Sequence, residues 1–292
     1  CPYPYKELSG CGVTFKLAQG YAQRYDIDEE RLWELLDFLV VSIAADIVAM
    51  TGENRILAWH GLHRLNRSPR HGLNALIEES RRSRPLHISD IVFGLAPMIN
   101  AAGRLADAGQ AVRLLLASDR FVAAEYARIL EYRNQVRREY DRRTAQEAEA
   151  LFGPQQHERR SIVFDLYQAL GLCSDLLLNY GGHAHAAGLS LLPENIPAFG
   201  DRFEAAVQLS LPEESLRKVV HIHAVLDLEN ISPAFWRILR QFAPFGPGNR
   251  NPVFETRNVT DTGFSRLLKG EHIKLSLKQG GKVFSGIAFH QG

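Results

Sequence analysis

Cysteine is scarce in this chain, with three in 292 residues, at positions 1, 11 and 173. An odd count at scattered spacing builds neither a disulfide framework nor a zinc cage, and it points to a reducing compartment, the cytoplasm. Long apolar runs are missing too. None reaches the length of a membrane-spanning helix, so no membrane is expected as a partner. The start carries no basic stretch followed by an apolar one, so no secretory leader is expected there. Net charge is close to absent, at +1. The sum therefore does not announce a nucleic-acid binder, although placement of charge matters more than its sum. What remains is the composition of ordinary globular domains, 46% hydrophobic and 23% charged. A chain of 292 residues is too long for one small core and predicts two or three domains. It begins at Cys1 instead of a methionine and ends at Gln291-Gly292 just after a strand-like run, so it reads as a portion of something longer.

In the first part, Ser9-Gly10-Cys11-Gly12 leads into a helix with Val13, Leu17 and Tyr21 on one face. A second helix is expected from Asp28, its N-cap, to Leu36. Phe38 to Ala45 is continuously apolar except for Ser42 and holds Val40, Val41 and Ile43, so it reads as a fully buried strand of a parallel sheet. Asp46 then stands beyond the carboxyl end of that strand, where α/β sheets gather ligands; a turn or helix-cap aspartate is the alternative. Thr51 is expected to cap a helix from Glu53 to Leu65. Between His63 and His87, Arg64, Arg67, Arg70, Arg81, Arg82 and Arg84 face only Glu78 and Glu79. They form either a solvated face or a set of phosphate contacts. Asn100-Ala101-Ala102-Gly103-Arg104-Leu105 reads as a tight backbone projecting Arg104 into a cleft, or else as a capping loop with an exposed arginine. A helix from Asp107 to Ala117 follows.

Ser118 to Phe152 holds no glycine or proline and stops at Gly153-Pro154, a helix pattern and a helix stop. Its length would be roughly 50 Å, which suits a connector between two lobes, with Ile129, Val136 and Tyr140 as its buried stripe. That seam is too sparse for a coiled coil. A helix from Asp165 to Tyr180 is expected next, running into Gly181-Gly182-His183-Ala184-His185-Ala186-Ala187-Gly188 and then a strand with Leu189 and Leu191, a helix–turn–strand corner. Glycine pairs allow a sharp turn and close approach of a ligand to the main chain. Main-chain N–H groups there can hold an anion, and an imidazole adds a donor or a charge. The alternative is that Gly-Gly merely closes the helix. Pro197 to Leu209 is an amphipathic helix with Phe199, Phe203 and Val207 on one side.

After Pro212 the texture turns to β. Val219 to Leu226 alternates, and His221 and His223 are read as the polar side of a strand, not a metal site. Phe242 to Asn249 is a rigid turn-forming loop, and Gln279-Gly280-Gly281 is a hairpin signal. Lys274, Lys278 and Lys282 beside Phe284 and Phe289 fit a small barrel for single-stranded nucleic acid, or a plain β module with routine surface lysines.

Four stretches taken together carry a resemblance. They are Cys1-Pro2-Tyr3-Pro4-Tyr5-Lys6-Glu7-Leu8-Ser9-Gly10-Cys11-Gly12-Val13, Ile99 to Leu105, Gly181 to Gly188, and Pro244-Phe245-Gly246-Pro247-Gly248-Asn249. In this order the chain resembles the RecJ family of single-strand-specific DNA exonucleases, within the DHH phosphoesterase superfamily. The resemblance implies an α/β multidomain chain. Residues 1–66 would be the C-terminal part of a DHH catalytic domain and 67–153 a basic linker with the long connecting helix. Residues 154–212 would be a DHH-associated α/β domain, and 213–292 a partial OB-fold β-barrel.

The resemblance also implies residue roles. Asp46 matches the family's last metal-binding aspartate. Arg104, with Asn100 in the same motif, matches a contact to the DNA backbone. Arg160 and Ser161 match the end of a Ser-x-Arg-Ser signature that binds substrate phosphate. His183, preceded by Gly181 and Gly182, matches the histidine facing the scissile phosphate. Two divalent cations, Mn2+ or Mg2+, would serve hydrolysis of single-stranded DNA from the 5′ end to mononucleotides, in DNA repair and recombination. The implied partners are single-stranded DNA, single-stranded-DNA-binding protein and repair helicases.

The departures are as informative. The family's upstream aspartate motifs and the Asp-His-His motif are absent and are expected before Cys1. A strand-rich block is missing near 158–161, and the OB-fold has too few strands to close. By itself, this stretch is expected to hold no metals and to be inactive. Two other readings stay open: a DHH phosphodiesterase acting on short oligonucleotides or cyclic dinucleotides, and a non-catalytic single-strand-binding relative.

Overall fold

In the computed structural model the described residues are 2–105, 107–152, 165–183, 186–210, 219–268 and 271–291. Contacts divide the chain into two units, Cys1–Leu151 together with Ile222–Gly292, and Phe152–His221. The segment expected as a DHH-associated domain, 154–212, falls inside the second unit.

The first unit is built on helices α1 (Gly10–Arg24), α2 (Glu30–Trp33), α3 (Leu36–Ala45), α4 (Gly52–Arg67) and α5 (His71–Glu79). The run expected as a buried strand is α3. Leu36, Leu39, Val40, Val41, Ile43 and Ala44 are all buried, so the helix is wrapped on nearly every side. A short apolar run buried all round has no period that separates strand from helix. The partner decides. Gly61 of α4 lies so close to α3 that a Cβ there would meet Leu36 O at 2.5 Å and Val40 Cβ at 2.6 Å. Only a glycine lets the two backbones approach this closely.

Two other expectations invert. Val13, Leu17 and Tyr21 of α1 are exposed, while Phe15 and Ala22 are buried. The second helix is a single turn, Glu30–Trp33, with Asp28 Oδ1 accepting the Glu30 N–H.

Asp37 on α3 is fully buried and is held by Arg70. Its carboxylate accepts from Arg70 Nε, Nη2 and the main-chain N–H, at 2.7–3.1 Å. Arg70 also donates to Glu34 O and lies 3.4 Å over the Phe38 ring. Most of the arginine-rich window is similarly committed. Arg64 donates to Glu34 O, Arg84 to Leu65 O, Asn66 O and Asn74 Oδ1, and Arg82 pairs with Asp90. These guanidiniums tie helix ends and loops together, a use that a charge count does not reveal.

A single helical turn α6 (Ile88–Asp90) and a π-helical turn at Ile91–Leu95 precede α7 (Ala96–Leu105). The tight loop expected at Asn100–Leu105 is therefore helix. Ala101 and Ala102 are fully buried, and small side chains serve here to bring α7 against the core. Helix α8 (Gly109–Leu115) follows, then α9 (Arg120–Phe152), a 33-residue helix. Its buried stripe is Ala123, Ala127, Leu130 and Asn134 instead of Ile129, Val136 and Tyr140. Small alanines set this contact, and Tyr140 is exposed. From Arg138 to Glu147 the surface is exposed and laced with pairs such as Arg142–Glu139 and Arg143–Glu147.

The β part of this unit holds a two-stranded parallel pair, β3 (Ala224–Val225) with β4 (Phe254–Glu255). A separate antiparallel sheet joins β5 (Thr260–Asp261), β6 (Arg266–Leu268), β7 (His272–Gln279) and β8 (Lys282–Ala288). Among the described residues the sheets do not close into a barrel. The β7–β8 hairpin turns at Gly280 and Gly281, whose φ values of 56° and 84° suit glycine. The expected strand from Val219 shrinks to two residues, with His223 Nδ1 accepting the Val253 N–H.

Among the described residues of 222–292 only Pro244 is buried. That point is where the β part grips the helices. Met50 N–H donates to Pro247 O at 2.6 Å, Arg55 Nη2 to Gln241 O and Phe242 O, and Asn249 Nδ2 to Phe242 O and Pro244 O. A Cβ on Gly248, at φ 75°, would meet Thr51 Cγ2 at 2.9 Å.

The second unit contains α10 (Leu166–Gly171), β1 (Leu177–His183), β2 (Ala186–Leu191) and α11 (Ile196–Ser210). Ala169, Leu170, Cys173 and Ala206 are its buried residues, and Phe199 stacks on Phe203 along α11. Arg202 grips both oxygens of Asp175, and this bond holds the Asp175 carboxyl below its usual range.

Replacing Asp37 by alanine strands the Arg70 guanidinium among buried groups and should cost about 3–5 kcal/mol. Urea denaturation checks this as a fall in the midpoint at an unchanged slope. Gly61→Ala, which forces α3 and α4 apart, should lower the midpoint by about 1–3 kcal/mol equivalent.

Candidate active-site residues

Asp46 stands at the C-cap of α3, and its N–H donates to Ser42 O at 2.9 Å. The side chain is exposed. It is thus a helix-end aspartate, not the residue after a strand. The carboxylate Oδ2 lies 3.1 Å from Ser42 Oγ, which is itself 3.0 Å from Ser9 Oγ. A carboxylate only accepts, and Ser42 Oγ is placed to donate its one proton either to Asp46 Oδ2 or to Ser9 Oγ. Ser9 is buried and caps α1 by accepting the Gly12 N–H. The Ser9-Gly10-Cys11-Gly12 stretch and Asp46, read separately in the sequence, therefore form one cluster. Cys11 belongs to it. Burial first, and the neighbouring Asp46 carboxylate second, push its thiol above the ordinary value, so it stays protonated at neutral pH.

Two further features mark this corner. A helix C-terminus is already the negative end of the helix dipole, so a carboxylate there deepens a field that suits a cation. Ile47 follows at φ 52°, a left-handed conformation that β-branched residues rarely adopt. Strain of this kind gathers at functional sites. Asp46 fits as one hard-oxygen ligand of a divalent cation. Among the described residues no group of three or more His, Cys, Asp or Glu could hold a metal ion, so these residues do not complete a two-cation centre.

Asn100 and Arg104 lie four residues apart on α7, which places them on one face of that helix. Asn100 is exposed, and the Arg104 side chain lies outside the described atoms.

The Gly-Gly-His stretch is part of a hairpin. The helix expected from Asp165 to Tyr180 ends at Gly171, and β1 carries Gly181, Gly182 and His183. Gly181 pairs with Gly188, Gly182 with Ala187 and His183 with Ala186. The stretch therefore lies in two paired antiparallel strands, and the glycine main chain belongs to a ladder. The leucines of this stretch are shared between a short helix and a strand, so no single period shows. Gly182 has φ 143°, a value that favours glycine. A Cβ at Gly181 or Gly188 would meet nothing, so this face of the hairpin is open. A shallow hollow of 330 Å³ lies over it, bounded by Asn179, Tyr180 and Ser190. His185, Arg160 and Ser161 lie outside the described residues, as does the His183 side chain. Asp46, Asn100 and Arg104 belong to the first unit and Gly181–His183 to the second.

Residues 222–292 match the family model described as RecJ OB domain. Over its whole length the chain is 28% identical to the single-stranded-DNA-specific exonuclease RecJ of Bacillus subtilis, an alignment that covers 43% of that relative. It is 30% identical to the proteins of the same description from Dickeya dadantii and Escherichia coli, over 99% of this chain and 62% of each relative. The chain thus spans about half the length of the curated relatives it matches. These alignments run over 341 to 362 positions against a chain of 292 residues, so the relatives carry residues with no counterpart here. Among solved structures, RecJ from Thermus thermophilus in complex with Mg2+ has the same fold. Its TM-score is 0.76 at 24% identity, over 98% of this chain and 56% of that one. An exonuclease RecJ bound to manganese gives a TM-score of 0.57 at 27% identity, over 75% of this chain and 66% of that one.

The cluster at the end of α3 has a direct reporter. Asp46→Asn removes the charge that helps keep Cys11 protonated, so the thiol should titrate lower and alkylate faster at pH 8. Peptide mass spectrometry of Cys11 after timed iodoacetamide exposure measures this; an unchanged rate would separate Cys11 from Asp46.

Proposed function

We propose, from its similarity to the RecJ exonucleases, that this chain is part of a metal-dependent exonuclease that degrades single-stranded DNA from the 5′ end to mononucleotides, in DNA repair and recombination. The observation that supports this reading best is similarity, at 30% identity over 99% of the chain, to proteins described as single-stranded-DNA-specific exonucleases. The match of residues 222–292 to an OB domain favours a polymeric strand over a short oligonucleotide or cyclic dinucleotide as substrate.

In this reading Asp46 is one oxygen ligand to one of two divalent cations, Mg2+ or Mn2+. Such cations, when bound, supply an activated water and neutralise charge on the phosphate. Ser42 holds the Asp46 carboxylate in place through its hydroxyl. His183 donates to the phosphate as negative charge builds on it. Asn100 and Arg104, on one face of α7, position the backbone of the strand, and Arg160, Ser161, Gly181 and Gly182 complete the phosphate contacts. The division into residues 1–66, 67–153, 154–212 and 213–292, with a connector helix in the second segment, belongs to the same proposal. So do a cytoplasmic location and partnership with single-stranded-DNA-binding protein and repair helicases. Among the described residues no helix is long and apolar enough to cross a membrane.

The test uses the protein that carries this chain, with single strands labelled at either end and Mn2+ or Mg2+ present. Mononucleotides should leave the 5′-labelled end first, chelation should stop the reaction, and duplex DNA should survive. Release from the 3′ end, or equal attack on duplex, overturns the reading. His183→Ala should lower kcat by about a hundredfold or more with little change in DNA affinity; equal losses in both would reassign it to binding. Arg104→Ala should weaken binding and reduce the salt slope by about one. An unchanged slope removes it from the phosphate contacts.

A further inference from the structure

A groove of 860 Å³ lies between α4 and helix α12 (Pro233–Leu239), within the first unit, and neither Asp46 nor Asn100 lines it. Trp59 stands on the α4 side, 54% exposed, and Trp236 on the α12 side, 60% exposed. Indoles this open to water contribute little to the core. Trp59 is held in place by His63, which stacks on it at 6.0 Å with planes 14° apart, and by an edge-on contact from His60. Arg67 and Arg240 line the same groove, as do His63 and His87, and no lining residue is acidic. Neither arginine has a carboxylate within ion-pair distance among the described residues. This contrasts with Arg64, Arg70, Arg82 and Arg84, which are committed to carbonyls and carboxylates.

The floor of the groove is stiff. Pro244 and Phe245 belong to the loop that Asn249 and Arg55 hold through the carbonyls of Gln241, Phe242 and Pro244. A preformed groove saves the ordering cost of binding. Exposed, flat aromatic faces flanked by unpaired guanidiniums are the chemistry that takes up unpaired bases and their phosphates, because every base has a face to stack and every linkage a negative charge. Asn251 and Ser89, both exposed on the rim, supply donors and acceptors for base edges. An acidic peptide would satisfy the arginines but would leave two indole faces without flat partners.

We propose that this groove binds a segment of single-stranded nucleic acid, with bases stacked on Trp59 and Trp236 and phosphates held by Arg67 and Arg240. It rests on the reading of the chain as acting on single-stranded DNA, and adds for that strand a contact made by none of the proposed hydrolytic residues. It needs no metal.

The test is fluorescence anisotropy of labelled oligo-dT with this chain in EDTA, so that hydrolysis does not intrude. Trp236→Ala and Trp59→Ala should each weaken binding by about fivefold or more, and Trp236→Phe should restore most of the loss. Arg67→Ala and Arg240→Ala should each lower the salt slope by about one. An unchanged affinity in the Trp59→Ala, Trp236→Ala double variant, with wild-type circular dichroism and unfolding midpoint, overturns the proposal. So does an acidic peptide that quenches the groove tryptophans while oligo-dT neither quenches nor displaces it. Hydrolysis is scored separately: a chain that binds through this groove, from a protein that cuts nothing, refutes the exonuclease and not the groove.

Discussion

The ion pair between Asp37 and Arg70 is the constraint on which the first unit depends. A carboxylate with no solvent exposure is tolerable only with a partner that replaces its hydration, and Arg70 does so with three donors. The same guanidinium closes Glu34 O and covers the Phe38 ring, so one side chain sets the entry of α3, its rotation and its contact with the α4–α5 junction. Gly61 then sets the depth at which α4 presses on α3. Once both are satisfied, the far end of α3 has one position, and Asp46 is carried there with it.

What happens at that far end links the helices to the β part. Asp46 leans on Ser42, Ile47 turns left-handed, and Met50 is taken up by Pro247. The β strands have little core of their own, since Pro244 alone among the described residues of that region is buried. Their stability is therefore borrowed from the grip on Met50, Thr51 and Arg55, a few residues beyond the candidate ligand. A change in how the β part seats would be felt at Asp46 through a short, hydrogen-bonded loop. The groove between α4 and α12 exists because of the same seating, as Pro244 and Phe245 form its floor.

The candidate chemistry is divided between the units. The first holds an exposed carboxylate at a helix end and a helix face carrying Asn100 and Arg104; the second holds an open hairpin ending in His183. One carboxylate makes a ligand and not a metal centre. Similarity to the RecJ exonucleases supplies the context in which each piece has a use, and the proposed roles follow from it.

Composition and local pattern by themselves determined a good deal. The long helix at 120–152, the amphipathic α11, the β7–β8 hairpin with its Gly-Gly turn and the order of the four family stretches were all legible, because each rests on interactions within a few residues. The roles of Asp46 and the Gly-Gly-His stretch came instead from the resemblance, since a strand before Asp46 and a helix before Gly181, the local readings, are a helix and a strand in the fold. Only tertiary structure decided the rest. Val40, Val41 and Ile43 carry a strand preference of a fraction of a kcal/mol, and burial on all sides against Gly61 overrules it in favour of a helix. Val13, Leu17 and Tyr21 form an apolar stripe that faces outward, while small residues such as Ala123, Ala127, Ala101 and Ala102 make the tight contacts. Six arginines in one window looked alike until carbonyls and carboxylates elsewhere in the chain claimed four of them. Hydrophobic size, charge and turn chemistry are properties of a residue and its near neighbours. Which of them faces the core, and which polar group finds its partner, depends on contacts dozens of positions apart that only the folded chain makes.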